Sequence, residues 1–400
     1  MTNTREGGIT APEGFRTAGV SCGIKTQGLD LALIVADAPA SGAGVFTTNL
    51  VVAPPVIISK QHLRTSGGIV RAIAVNSGCA NACTGTRGHT AAHEMAVATA
   101  RTVGCPLEQA LVASTGVIGT ALDSRKIAQG IADAAQRLDR DSHTTAAQAI
   151  MTTDRSPKEA ASEVETPAGS CVIGGMVKGA GMIEPNMATM LGFLTTDAAI
   201  ESALLQRALS EAVGDTFNAI TIDGERSTND AVMLLASGAR GVRIDDASYG
   251  TFLDGLRDVC GMLAREIVRG GEGATKLVAV RVTGGQSSDD AKRAARAIAN
   301  SLLVKTALNG GDPNWGRLVA VAGRAGVRFD AERAQVRIGP AVLFANNTVF
   351  ADREPAAAAH LAAAEVEVAL DLGTGGSYDA TVWTCDLSAE YVHINADYRT

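Results

Sequence analysis

What most limits the folds open to this chain is an alternation, running to about residue 268, between short apolar runs of strand length and alanine-rich stretches of helical period. The runs at 31–35, 56–59 and 71–76 read as strands, and 89–102 reads as an Ala-rich helix. Helices are also expected at 123–138, 201–213 and 249–268, the last carrying Phe252, Leu256, Val259, Cys260 and Leu263 on one stripe. Strands interleaved with helices in this way build a layered mixed α/β fold, each helix covering a sheet face. With 44 glycines and only 4% aromatic residues, the core must be made of Ala, Val, Ile and Leu in close-packed layers. Four hundred residues exceed what one core normally carries, so two domains, or one large layered domain plus an appendage, are expected.

The pattern restarts after Gly270, Gly271 and Gly273. A strand is expected at 277–282, and Ser-Ser-Asp-Asp at 287–290 caps a second Ala-rich helix. The domain boundary is therefore expected near 276, giving domains 1–276 and 277–400. The C-terminal part reads strand-rich, with runs at 335–338, 342–344, 366–372 and 379–387 separated by Gly, Asn and Pro turns.

Several functional classes are excluded by charge and motif content. The net charge is −7, the isoelectric point is near 5.5, and no cluster of five or more basic residues occurs. Nucleic acids and anionic membranes therefore have no electrostatic footprint here, and small molecules are the expected ligands. The N-terminal stretch has neither an apolar signal core nor an Arg-rich amphipathic run, and no segment reaches 18 apolar residues, so a cytoplasmic protein is expected. The cysteines at 22, 79, 83, 105, 171, 260 and 385 lack paired CxxC spacing, which points to reduced thiols. Cys79 and Cys83 stand in a glycine-rich turn without a second ligand pair, and His89, His93 and Glu94 form HxxxHE rather than HExxH, so no metal site is expected. The glycine-rich GGEGATK lacks a P-loop ending.

One stretch does carry chemistry. KGAGMIEPNMATML, 178–191, sets Thr189 behind a Met-Ala pair after an irregular, glycine- and proline-containing connection and before the apolar run 190–194. A threonine hydroxyl needs a base. Cleavage between Ala188 and Thr189 would supply one, because the new α-amine has an ordinary pKa of about 7.7–8.0 and is partly neutral at physiological pH. This is nucleophilic catalysis by an N-terminal threonine.

Other strings fit acyl transfer. ASTGVIG, 113–119, offers a hydroxyl beside a glycine amide, Thr115 and Gly116, as donors to an oxyanion. NSGCANACTG, 76–85, closes the strand 71–75 with small and amide residues. Lys178 suits a substrate carboxylate, and Glu272 in its glycine-rich turn suits an ammonium. DGERSTND at 223–230 and DPNWGR at 312–317 are polar turns of the sort that wall pockets. Taken singly, each of these strings reads sooner as a structural turn or a solvated surface than as a site.

Taken together and in order, from ITAPEGFRTAGVSCGIK at 9–25 to the last residue, they resemble the ornithine acetyltransferase family, also called glutamate N-acetyltransferase. The resemblance implies the αββα sandwich of N-terminal nucleophile enzymes with a smaller C-terminal α/β domain, and self-cleavage before Thr189. It implies transfer of acetyl from N²-acetylornithine to glutamate through an acetyl-Thr189 ester, in the acetyl-recycling step of arginine biosynthesis. Thr115 and Gly116 carry over as the oxyanion hole, and Thr152, Lys178, Thr189, Glu272, Asn395 and Thr400 as the substrate site, to which the C-terminal tail returns. No metal or organic cofactor is implied, with acetyl-CoA used only by bifunctional members. The fragments 1–188 and 189–400 are expected to stay intertwined as an α2β2 heterotetramer. The chain departs from the family at Cys79, where a second asparagine is usual, and at Asn309, where an aromatic is usual. The competing readings are an N-terminal nucleophile amidohydrolase or aminopeptidase, in which water resolves the acyl-enzyme, and an uncleaved amino-acid-binding protein.

Overall fold

The computed structural model describes residues 3–184 and 190–397, so Ala188, Thr189 and Thr400 lie outside the described residues. The chain forms two compact units. Of the described residues, the first takes in those up to Asn218 together with Glu225–Ile267, and the second takes in Ala219–Gly224 and those from Val268 onward.

The first unit contains strands β1 (Asn3–Thr4), β2 (Phe15–Val20), β3 (Leu31–Phe46), β4 (Ile69–Cys79) and β5 (Ala110–Val117). They are followed by β6 (Lys158–Thr166), β7 (Gly169–Lys178), β8 (Leu191–Thr196) and β9 (Ala231–Ala236). Its helices are α1 (Pro54–Thr65), α2 (Gly85–Val103), α3 (Ser124–Ala135), α4 (His143–Ala149), α5 (Ser202–Asp215) and α6 (Asp246–Arg269). The strands run β1-β6-β7-β8-β9-β3-β4-β5, with β2 also on β3. Strand β3 makes this single ladder into two layers. Its residues 31–36 pair with β2, and 31–35 with β4, whereas 41–46 pair with β9. Between them Asp37, Ala38 and Pro39 are exposed, and the register to β4 breaks between Val35 and Ala40. Pro39 has no N–H to give a ladder, and such an irregularity bends and twists the strand.

Both faces of the β3 start are buried. Leu31, Leu33 and Val35 pack with Ile58 of α1, Met95 of α2, and Ile127 and Ile131 of α3. Ala32, Ile34 and Ala36 face the opposite way and meet Met176 of β7, Phe193 of β8 and Met233 and Leu235 of β9. On the far side Gln206 of α5 accepts the Gly44 N–H at 3.0 Å, and Leu263 of α6 lies against Gly175. The order of layers is helix, sheet, sheet, helix, as the resemblance implies.

The run 56–59, expected as a strand, lies in α1. Pro54 and Pro55 occupy the first helical turn, where a fixed φ and a missing N–H are tolerated, and Pro55, Ile58, Ser59 and His62 are buried at helical spacing. A four-residue apolar run does not distinguish the two periods by itself.

The second unit contains β10 (Leu277–Gly285), β11 (Gln335–Ile338), β12 (Ala341–Ala345), β13 (Thr348–Val349), β14 (Glu365–Asp371) and β15 (Tyr378–Cys385). Its helices are α7 (Ser288–Ala299), α8 (Leu302–Gly310), α9 (Trp315–Gly323), α10 (Glu354–Leu361) and α11 (Ala389–Asp397). The sheet order is β13-β12-β11-β14-β10-β15, with β10 and β14 parallel. The Ser287 side chain caps α7 by accepting the Asp290 N–H, and Ala294, Ala295 and Ile298 of α7 pack on Val278, Val280 and Val282. This part holds more helix than its strand-rich sequence suggests, because α8 to α10 are short and their apolar residues read as runs rather than stripes.

Phe193 is fully buried between the two sheet layers. Phe193→Ala is expected to lower stability by about 3–5 kcal/mol, read as a fall in the urea midpoint with an unchanged slope.

Candidate functional site

In the first unit the site is built where β4 and β5 end side by side. The two strands are parallel, and their register sets Ser77 against Thr115 and Gly78 against Gly116. Gly116 has φ 126°, and a Cβ there would stand 2.4 Å from the Gly78 carbonyl carbon. Only glycine allows this approach, so the Thr115–Gly116 pair is held at a strand edge by backbone contact.

Buried amides brace that edge. Asn229 donates to the carbonyls of Ala80 (2.6 Å) and Ser114 (2.9 Å). Asn76 accepts the Ser114 hydroxyl at 2.5 Å and donates to the Cys79 carbonyl at 2.9 Å. The strings NSGCANACTG and DGERSTND thus meet at the same strand end. Cys79 is buried with its thiol directed to the Thr120 carbonyl at 3.3 Å, and burial pushes that thiol above its ordinary pKa.

Lys178, the last residue of β7, is buried and donates to the Thr115 hydroxyl at 3.2 Å. Because the hydroxyl oxygen accepts from the ammonium, its own proton is left to point elsewhere. Leu191 is the cross-strand partner of Lys178, so the connection 179–190 leaves and re-enters the sheet beside this lysine. Thr189 lies in that connection, two residues before Leu191, and outside the described residues.

Asp154, which the sequence reading passed over, organises the lysine's surroundings. Its side chain is fully buried. It accepts from Lys158 Nζ (2.5 Å), from the Gly179 N–H (2.7 Å) and from the Thr152 N–H (3.1 Å). Burial pushes the carboxyl up, but the Lys178 and Lys158 ammoniums and these hydrogen bonds outweigh it and hold the pKa at about 2. Thr152 and Lys178 are thereby tied to one anion. Asp230, at the start of β9, behaves in the opposite way. Burial pushes its pKa well above the usual range, against the Met190 N–H, the Lys178 ammonium and the Thr47 hydroxyl, and its Oδ2 is buried without a hydrogen-bond partner among the described residues.

Glu272 and Asn395 belong to the second unit. Asn395, on α11, donates to Glu272 Oε2 at 2.8 Å, and Glu272 is buried. The turn that carries Glu272 is held by Ser388, which donates to the Gly273 carbonyl at 2.6 Å, and by Asp386, which accepts from Thr275 and Lys276. Asn309 also donates to Asp386, at 2.6 Å, while Trp315 stacks on Phe344 with centroids 4.8 Å apart. The departure at Asn309 thus serves a hydrogen bond. Thr400 lies outside the described residues.

Among the described residues no three His, Cys, Asp or Glu side chains gather as a metal site, and no helix is long and apolar enough to cross a membrane. All seven cysteines are free.

The architecture defines a layered αββα protein whose first unit presents a lysine-backed threonine and a glycine at a strand edge. The ArgJ family model matches residues 16–400. The chain is 47% identical over 400 residues to the arginine biosynthesis bifunctional protein ArgJ of Symbiobacterium thermophilum, covering 98% of this chain and 99% of that one. It is likewise 47% identical over 391 residues to the protein of that name from Chlorobaculum tepidum, covering 97% and 96%. Among solved structures, ornithine acetyltransferase from Mycobacterium tuberculosis, complexed with ornithine, matches with 41% identity and a TM-score of 0.44, covering 47% of this chain and 100% of that one. The chain belongs to the ArgJ family.

Asp154→Asn leaves Lys158 buried without its anion, and is expected to cost about 3–5 kcal/mol near pH 6. The native carboxyl has a pKa depressed from about 3.9 to about 2. The stability it contributes is therefore full above about pH 4 and is lost as pH falls through 2. Urea midpoints of wild type and variant should converge over that window.

Proposed function

We propose that this chain is a glutamate N-acetyltransferase of arginine biosynthesis that moves acetyl from N²-acetylornithine to glutamate after cutting itself between Ala188 and Thr189. The observation that carries the reading is the contact of Lys178 with Thr115 beside Gly116, at the mouth of the connection that contains Thr189. Family membership and the ornithine in the Mycobacterium tuberculosis relative support the substrate class.

The Thr189 α-amine takes the proton of its own hydroxyl, and the oxygen attacks the acetyl carbonyl. The Thr115 hydroxyl and the Gly116 N–H receive the oxyanion, whose collapse breaks the C–N bond as the proton passes to the departing nitrogen. Ornithine leaves and acetyl-Thr189 ester remains. The glutamate amine then attacks that ester, its proton passes to the α-amine, and N-acetylglutamate departs as the hydroxyl is restored. Thr152, Lys178, Glu272, Asn395 and Thr400 hold the amino acid, with Lys178 for a carboxylate and Glu272 for an ammonium. Both substrates share one pocket, so kinetics are ping-pong. The fragments remain together as a cytoplasmic α2β2 heterotetramer to which the C-terminal tail contributes, and no metal or organic cofactor takes part. The relatives' name, bifunctional, is the ground for also assaying acetyl-CoA as donor.

Denaturing mass spectrometry of wild type should show two fragments, about 19 and 22 kDa by dividing 40.9 kDa over 188 and 400 − 188 = 212 residues, and Thr189→Ala a single chain. An intact wild type removes the base from the mechanism and favours a binding protein. Acetate release without glutamate favours the hydrolase. Thr115→Val is expected to lower kcat about 100-fold while leaving cleaved, folded enzyme, checked by initial rates with both substrates saturating.

A further inference from the structure

The motif ITAPEGFRTAGVSCGIK ends in Lys25, a residue with no part in the mechanism above. Its position is built rather than incidental. Asp30, fully buried, accepts the N–H groups of Cys22 (2.6 Å), Ile24 (2.7 Å) and Lys25 (2.9 Å), pinning the loop from which Lys25 projects. The side chain then crosses Gly78, where an added Cβ would meet Lys25 Cγ at 2.6 Å. Gly78 is the register partner of Gly116, so the Lys25 stem lies over the strand end that carries Thr115 and Gly116.

The Lys25 ammonium donates to the Met151 carbonyl at 3.1 Å, next to Thr152 and its bond to Asp154. Burial lowers the pKa of the half-buried ammonium. The carboxylates of Asp30 and Asp154 raise it and the Lys178 ammonium lowers it again, which places Lys25 and Lys178 within mutual electrostatic reach. Asp154 is already committed to Lys158 and to two backbone N–H groups. Among the described residues the Lys25 ammonium forms no ion pair, and its one hydrogen bond is to a neutral carbonyl. An ammonium has three donors, so two remain for an anion that arrives from solution.

We propose that Lys25 is a second substrate-binding cation of this site, taking the side-chain carboxylate of a dicarboxylic acceptor while Lys178 serves the other carboxylate. The inference rests on the acetyl-transfer reading and deepens it. Glutamate carries an anion where ornithine carries an ammonium, so Lys25 is a specificity-determining residue for the second half-reaction. It attracts the acceptor and repels the product amine that has just left.

The test uses the cleaved full enzyme as wild type, Lys25→Met and Lys25→Arg. Two acceptors are compared at saturating acetylornithine, glutamate and its uncharged isostere glutamine, and ornithine release is followed separately in a single turnover. Lys25→Met should raise the glutamate KM about tenfold or more and lower the glutamate-over-glutamine preference in kcat/KM by a similar factor. The change in ornithine release should be smaller, and Lys25→Arg should restore much of the preference. If Lys25→Met changes ornithine release and glutamate transfer by one common factor, or leaves the glutamate-to-glutamine ratio at the wild-type value, the inference is overturned. Should the methionine variant fail to fold or cleave, Lys25→Gln is judged on the same ratio. A wild type that transfers no acetyl from acetylornithine to glutamate sinks the underlying reading instead, and the two failures are therefore distinct.

Discussion

The first unit depends on the burial of both faces of one long strand. At β3 the side chains of residues 31–36 are all buried, alternately toward the helices α1 to α3 and toward the second sheet layer. A strand with one solvated face would have allowed an open sheet under a single layer of helices. Here the exposed bend at Asp37 to Pro39 lets the same strand serve both layers, and the inner core fills the space between them. The strands that carry the site, β4, β5 and β7, are held against this frame on either side of β3.

The site extends the same economy of placement to charge. A buried carboxylate is costly unless it is paired and hydrogen-bonded. Asp154 meets that condition with Lys158 and two backbone N–H groups, one from Thr152 and one from Gly179, the residue after Lys178. The same anion lies within electrostatic reach of Lys25 and Lys178. Asp230, also within electrostatic reach of Lys178, lacks such a partner for one oxygen among the described residues, and burial raises its pKa. The carboxyls of two aspartates of one unit are therefore shifted in opposite directions because their surroundings supply different numbers of donors and cations.

Local pattern was enough for most of the regular structure. The apolar runs at 31–35 and 71–76, the stripe at 249–268 and the Ser287 cap all correspond to elements found. The run at 56–59 did not, because four residues carry no period and the two prolines before it were the decisive signal. Of the site, the motif strings drew attention to Thr115, Gly116 and Lys178, and the family resemblance to Thr152. The roles of Asp154, Asn229 and Lys25 were not legible, because they lie in partners 25, 115 and 126 residues away. A hydrogen bond between distant segments leaves no periodic trace in a sequence.

By itself, then, the sequence determined the layered α/β class, a glycine next to Thr115, the lack of a basic cluster, and the position of Thr189 behind a Met-Ala pair. These follow from local geometry, composition and the chemistry of single residues. The tertiary structure decided that β3 belongs to two layers, that Lys178 reaches Thr115 across 63 positions, and that one saturated carboxylate stands among several lysines. Those outcomes depend on which side chains are withdrawn from water together, and desolvation is a property of the packed whole.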